Sequence, residues 1–474
     1  MHLSTTSIAC YGQNEDGCDP RSLHHLNFVH NRIFLQPCSY KMEVAMLCIN
    51  HRKVTADAAA ALVKSHDLLI TGHSSASPRE FIKALVRREN ELEDVWITHV
   101  RVEGPAEYLS PQYCNSFFHN SFMIGPNSRQ AMFEGRADYI PNRFGQMPAF
   151  MIRNCINPDI AILQLSPPDH YGFCSYGICT SYLPTAAKVA KIVIGEINDQ
   201  LPVTSGSRIH ISDLDYIIET SYPIYETPQP KVGDLEIAIG KHVASLIDDD
   251  TTLQLGIGAI PNAVLASLNG HKNLGVHSEM IGNGVVELME KGVINGRKKA
   301  INPCKVICTF AMGDNILFSF LNNCSAVEFH EVSYTNSPKI ISQNNKMIAI
   351  NSAIEVDVTG QICAESIGTK LFTGTGGQLD FALGASISQD GKFIIAMPAT
   401  ASSGKVSRIC AYLKKGAAVT TPRTLADFVV TEFGIAELKG KNLRQRAKSL
   451  IAICHPNFQE QVEKESSERN DIHF

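Results

Sequence analysis

The stretch GVHSEMIGNG, residues 275–284, sets one acidic side chain, Glu279, among small and apolar neighbours. It follows a β-like run and precedes a glycine-bearing turn. A glutamate ionises near ~4.3, so at neutral pH its carboxylate can attack an activated carbonyl with no general base to help it. Taken alone, the same residue reads more readily as a solvated charge on a turn. Two glycine-rich turns bear on the choice. GIGAIP, residues 256–261, follows a predicted strand and opens a predicted helix, but Pro261 stands where a dinucleotide fingerprint needs its third glycine. What survives is physical. Gly256 and Gly258 let the backbone approach a ligand closely, Pro261 suits the first helical turn, and unpaired N–H groups there attract negative charge. A tight turn with no ligand is the alternative. GTGGQLDF, residues 374–381, is a second such cluster before a helix-capable run, with Asp380 near its start. Glu279 lies only about twenty residues beyond Gly258, so adjacent parallel strands can carry both to one sheet edge, where α/β proteins bind ligands.

Three other patterns fail on their own residues. ITGHSSASP puts Ser74 in a Gly-x-Ser-x-Ala context like a nucleophile elbow, yet the closing glycine is missing and a loop with a helix cap is the simpler reading. ASSGKVS, with Gly404 and Lys405, lacks a phosphate loop's first glycine, since Ala399 occupies that place. The 14 cysteines are scattered singly, and neither Cys304 with Cys308 nor Cys174 with Cys179 has Cys-x-x-Cys spacing. Buried free thiols in a reducing compartment and no metal are expected.

The elements that must position these residues alternate helix with strand from about residue 54 onward. TADAAAALV and SPREFIKALVRRENEL read as helices, and DLLITG, DVWITHV, IAILQLS and AKIVIGEIN as strands. Continuous apolar runs of this kind suit parallel strands covered on both faces. Residues 200–233 are rich in Pro, Ser and Thr and are the expected linker. A second series follows, with helices at DLEIAIGKHVASLIDD, AIPNAVLASLNG and GVVELMEKG. Its strands are TTLQLGIG, LGVHS, KVICTFAMG, KMIAINSAIEVD and KFIIAMPA. The halves share a rhythm but no repeat detectable by eye.

A chain of 474 residues is long enough for two large domains. Expected boundaries are a poorly ordered extension over 1–41, an amino-terminal α/β domain over 42–230 and a carboxy-terminal α/β domain over 231–474. The first 41 residues have neither the plan of a signal peptide nor enough arginine for a confident mitochondrial presequence, so a cytoplasmic location is expected. No stretch approaches the ~20 apolar residues of a membrane span. A net charge of −5 gives no general attraction to nucleic acid or anionic membranes, and neither is expected as a partner.

Five segments, read in order, carry a resemblance. LSPPDHYGFCSYG is similar to an S-P-P-D-x-x-G-x-x-S-x-G segment, and QLGIGAIPNAV, HSEMIGNGVVEL, GTGGQLDFALGA and VVTEFGIAELKGKNLRQRAKSLIAICHP follow as that pattern requires. From about residue 54 the chain resembles the acetyl-CoA hydrolase / CoA-transferase family, in the branch of the 4-hydroxybutyrate and butyryl-CoA:acetate CoA-transferases. The resemblance implies two CoA-transferase-type α/β domains with largely parallel sheets and a pocket along their interface. It implies that Glu279 becomes covalently linked to CoA. It places Gln254, Leu255, Gly256, Ile257 and Gly258 on the CoA side, and gives Gly376 and Gly377 the task of presenting amides to the thioester. Implied partners are acyl-CoA and small carboxylic acids, with CoA a substrate, no resident cofactor, and a homo-oligomeric assembly. The same fold and glutamate would also serve an acyl-CoA hydrolase, and a CoA-binding protein without turnover is a third reading. One position departs from the family pattern: Asn283-Gly284 stands where members often read Asp-Gly.

Overall fold

Seven strands rich in isoleucine, leucine and valine pair side by side in one wholly parallel sheet. Their order is Tyr216–Thr220, Ile192–Asn198, Ile160–Leu165, Leu68–Thr71, Val95–His99, Phe117–Ser121, Ala137–Tyr139. Every residue of the interior strand Ile160–Leu165 is buried, as a strand covered on both faces must be. A second sheet of six strands runs Gly275–Val276, Thr252–Leu255, Met347–Asn351, Lys392–Ala396, Phe428–Thr431, Gly434–Glu437. All its neighbours are parallel except the last pair, which is a hairpin. The fold is therefore α/β with mostly parallel sheets. The computed structural model describes residues 52–469 and 471–472. The extension expected over 1–41, and the start of folded structure expected at Met42, lie outside the described residues.

The two sheets do not separate into independent bodies. One core runs from Ile70 and Leu163 beneath the first sheet to Leu253, Phe310 and Val430 of the second half. The stretch KVICTFAMG, expected as one strand, is two. Val306–Cys308 pairs with Val327–Phe329, which in turn pairs with Ser205–Gly206, so a short sheet joins a strand inside the expected linker to two strands of the second half. Phe310–Ala311 pairs with Met280–Ile281.

The expected linker is itself partly structured. Residues 200–233 contribute Ser205–Gly206, Arg208–His210 and Tyr216–Thr220, and their longest stretch without helix or strand is 221–233. Ile209, Ile211, Leu214 and Ile217 are buried there, and that burial outweighs the proline and serine around them. Thiols depart from the expectation in part: Cys174, Cys179, Cys308, Cys363 and Cys454 are buried, whereas Cys114, Cys155 and Cys304 are exposed, and all are free. Among the described residues, no helix is long and apolar enough to cross a membrane.

Candidate active site

Strand register brings the catalytic candidates together. Thr252 pairs with Gly275 and Leu253 with Val276, so the turn after Leu255 and the segment after Val276 leave the same edge of the second sheet side by side. Glu279 comes three residues after Val276 and is held on both sides. Before it, the Ser278 hydroxyl donates to Leu255 O at 3.0 Å, and Lys299 Nζ donates to Val276 O at 2.9 Å and Lys305 O at 2.8 Å. His277 is buried, which lowers its pKa to about 3, and its Nε2 lies 2.9 Å from Thr335 O. A neutral ring with the proton on Nε2 satisfies that carbonyl. Thr309 N donates to Glu279 O at 3.0 Å, and Met280 pairs with Phe310 just beyond. A backbone tied this closely leaves the glutamate side chain few directions in which to point.

The carboxylate end is enclosed although the residue as a whole is half-buried. Asn336, fully buried, donates from Nδ2 to Glu279 Oε2 at 2.7 Å. Burial raises the Glu279 pKa to about 7; Asn336 and the Gly377 amide, as donors, work against that rise, and the Asp380 charge adds to it. Gly377 immediately precedes the helix Gln378–Ile387, whose free amides carry partial positive charge toward the carboxylate. Its φ of −91° is open to any residue, so conformation does not demand glycine there. Space does: an added Cβ would overlap Glu279 Oε2 and Asn336 Nδ2. Gly376, at φ +57°, is left-handed, and there glycine relieves backbone strain.

Behind this turn sits Asp380, whose side chain is 1 % exposed. It accepts from Arg143 Nη1 at 2.7 Å and from Gly145 N at 2.9 Å. Burial lifts its pKa to about 6 against these donors. Arg143 and Gly145 come from the loop after Ala137–Tyr139, the edge strand of the first sheet, so the surroundings of Glu279 are built from both halves.

The remaining sequence candidates divide by location. Gln254 and Leu255 end the strand and are buried; Gln254 Oε1 accepts from Asn351 Nδ2 at 2.9 Å. Gly256, Ile257 and Gly258 line a cavity of about 330 Å³, shared with Ile350, Asn351, Ser352 and Ala396 at neighbouring strand ends. No atom lies within 4 Å of where a Cβ on Gly256 would stand, and Gly258, at φ +130°, takes a conformation that side chains avoid. Ile257 packs within reach of Gly282, linking this turn to the Glu279 segment.

Asn283 does not touch the Glu279 carboxylate. Its Nδ2 donates to Asp314 Oδ1 at 2.6 Å and its Oδ1 accepts from Gln229 Nε2 at 3.0 Å. Ser74 is buried, with Oγ 2.9 Å from His73 Nδ1, and it caps no helix. Gly404 and Lys405 form the tip of a hairpin between Thr400–Ala401 and Val406–Ser407. Sequence reasoning passed over Asn336, Arg143 and Gly145. Asn336 sits in SYTNSPK, and no local spacing marks it.

Known proteins resemble this chain over most of its length. Residues 49–224 match the acetyl-CoA hydrolase/transferase N-terminal domain, and residues 313–466 match the acetyl-CoA hydrolase/transferase C-terminal domain. Glu279 and the Gly256–Gly258 turn fall between those stretches, whereas Gly376, Gly377 and Asp380 fall within the second. The 4-hydroxybutyrate coenzyme A transferase of Clostridium kluyveri is 47% identical over 88% of this chain and 97% of its own. The succinyl-CoA:acetate/propanoyl-CoA:succinate CoA transferase of Fasciola hepatica is 42% identical over 83% of each. Among solved structures, the 4-hydroxybutyrate CoA-transferase of Porphyromonas gingivalis superimposes with a TM-score of 0.77 at 37% identity, covering 90% of this chain and 99% of that one. By fold, sequence and coverage, the chain belongs to the acetyl-CoA hydrolase/transferase family, in its branch of 4-hydroxybutyrate-type CoA-transferases.

Proposed function

We propose that the protein moves CoA between a short-chain acyl-CoA and a carboxylic acid such as acetate, through a glutamyl-CoA thioester on Glu279. The acyl groups that its sequence relationship favours are 4-hydroxybutyryl, butyryl and acetyl. The observation that carries the reading is the Glu279 carboxylate itself, at a strand end, between the Asn336 amide and the N-terminus of the helix Gln378–Ile387. Of the alternatives, this arrangement favours a group that reacts over one that only binds, because it spends a buried, costly charge on a side chain with a free oxygen face.

The chemistry needs no redox agent. A Glu279 oxygen attacks the thioester carbonyl, the C–S bond of the adduct breaks, and CoA leaves as a thiolate while the acyl group stays on Glu279 as a mixed anhydride. The thiolate then attacks the glutamyl carbonyl and the donor acid departs as its carboxylate, leaving glutamyl-CoA. An acceptor carboxylate repeats these steps in reverse and restores Glu279. Each addition places negative charge on a carbonyl oxygen, and a preorganised donor at such a position is worth ~2.7–4 kcal/mol. The Gly377 amide and the turn at Gly256 and Gly258 are the donors proposed for this role.

Incubation with acetyl-CoA or butyryl-CoA alone, followed by borohydride or hydroxylamine trapping and peptide mass spectrometry, is expected to mark Glu279. Full exchange activity with Glu279 unmodified would overturn the reading. Acyl-CoA donors run against acetate, succinate and water then separate transfer from hydrolysis and identify the acyl group.

A further inference from the structure

We propose that Arg143 and Asp380 are positioning residues for this transfer: their ion pair, which spans the two halves, seats the Gly376-Gly377 turn and sets the pH at which Glu279 becomes nucleophilic. The proposal rests on the reading of Glu279 as the nucleophile.

Three successive residues of the first half grip the turn. Arg143 Nη1 donates to Asp380 Oδ1 at 2.7 Å, Phe144 N to Gly376 O at 3.0 Å, and Gly145 N to Asp380 Oδ2 at 2.9 Å. Gly145 leaves no room for a side chain, because a Cβ there would stand 2.9 Å from Asn336 O and 3.2 Å from Asp380 Oδ2. The loop is thus wedged against Asn336, which donates to the Glu279 carboxylate, and against Asp380 behind the turn. Phe144 also packs on Phe310, next to the amide of Thr309 that fixes the Glu279 carbonyl.

The surrounding charges are few. The helix Gln378–Ile387 presents Asp380, and the 143–145 loop presents Arg143. The segment 332–336 presents the uncharged Asn336. Segment 306–310, VICTF, and the turn 256–258, GIG, contain no charged residue; the Cys308 thiol is buried, and burial holds it protonated. His277 is neutral and engaged with Thr335. Asp380 is therefore the like charge that opposes ionisation of Glu279, and Arg143 is its counter-charge. Two carboxylates left without that cation hold a proton to higher pH, and their titration belongs to the pair. Removing the Asp380 charge does the reverse. A residue needed only for packing would not move the two variants in opposite directions.

The test follows kcat/KM for the acyl-CoA half-reaction against pH in the full chain. The acid limb is expected to move up by about one unit in Arg143→Met and down by about one unit in Asp380→Asn. Arg143→Lys, which keeps the charge, is expected to retain the wild-type limb. Uniformly lower rates with unmoved limbs, or limbs displaced in the same direction, would overturn the proposal. If Arg143→Met does not fold by circular dichroism, the isosteric Asp380→Asn and the Arg143→Lys variant still decide it: a downward limb in the former with an unmoved one in the latter supports it, and any other pair of results sinks it. Trapping of wild-type Glu279 is run alongside. Its failure removes the nucleophile reading itself, whereas trapping with unmoved limbs removes only this proposal.

Discussion

Glu279 holds its buried carboxylate at a cost in stability. A carboxyl whose pKa rises from 4.5 to about 7 on folding keeps, between those values, a proton that the unfolded chain has released. The folded state binds more protons in that window, so stability falls as pH rises through it. Glu279→Gln removes this dependence. Its Tm is expected to exceed that of the wild type at pH 8, with the gap narrowing at pH 5, where the wild-type side chain is also neutral. Gly377 makes the complementary point. Gly377→Ala is expected to leave the backbone undisturbed, since φ there is ordinary, yet to drive a methyl into the space of Glu279 Oε2. A loss of about 10²-fold or more in kcat/KM is expected, with little change in the circular dichroism spectrum. A fully active alanine variant would show that the amide is not aimed as described.

At the scale of elements, what decides the site is how short segments are tied after each strand. Strands, glycine turns and the glutamate were legible from sequence because each is a local pattern: the run TTLQLGIG, the GIG turn within it and HSEM each occupy a few consecutive residues. Asn336 was not legible, because its contact with Glu279 spans 57 positions, and the Arg143 contact with Asp380 spans 237. No periodicity reports a pairing that only tertiary packing creates. The linker expected over 200–233 failed for a related reason, since its prolines and serines masked isoleucines that pack into a core made elsewhere.

The unusual Asn283 belongs to this scale as well. It joins the helix Asn283–Glu290 to Asp314, which in turn caps the helix Asn315–Leu321 by accepting from Ile316 N at 2.9 Å. Gly313 must lack a side chain because a Cβ would strike Asn283 Oδ1. Asn283→Asp sets a carboxylate against Asp314 in place of a donor. It is expected to lower stability by about 1–3 kcal/mol at pH 7, less so near pH 4 where one of the pair is protonated. Urea unfolding at the two pH values measures the difference. An equally stable variant would mean that Asp314 finds its donors elsewhere.

Across the whole molecule, the two sheets share a core, a short third sheet ties Ser205–Gly206 to two strands of the second half, and the site is a product of that union. Gly206 shows how tightly they meet: at φ +111° it pairs with Phe329, and an added Cβ would collide with the Phe329 backbone. Gly206→Ala is expected to destabilise the chain by about 1–3 kcal/mol in a single unfolding transition seen by probes in either half. Two separated transitions would mean that the halves fold independently. The span from Arg143 to Asp380 carries a temporal consequence. A chain leaving the ribosome has its glutamate once residue 279 is made, but lacks the partner of Arg143 until residue 380 follows. The Gly377 amide that faces Glu279 is likewise made almost a hundred residues after it, so the surroundings of the carboxylate are completed only late in synthesis.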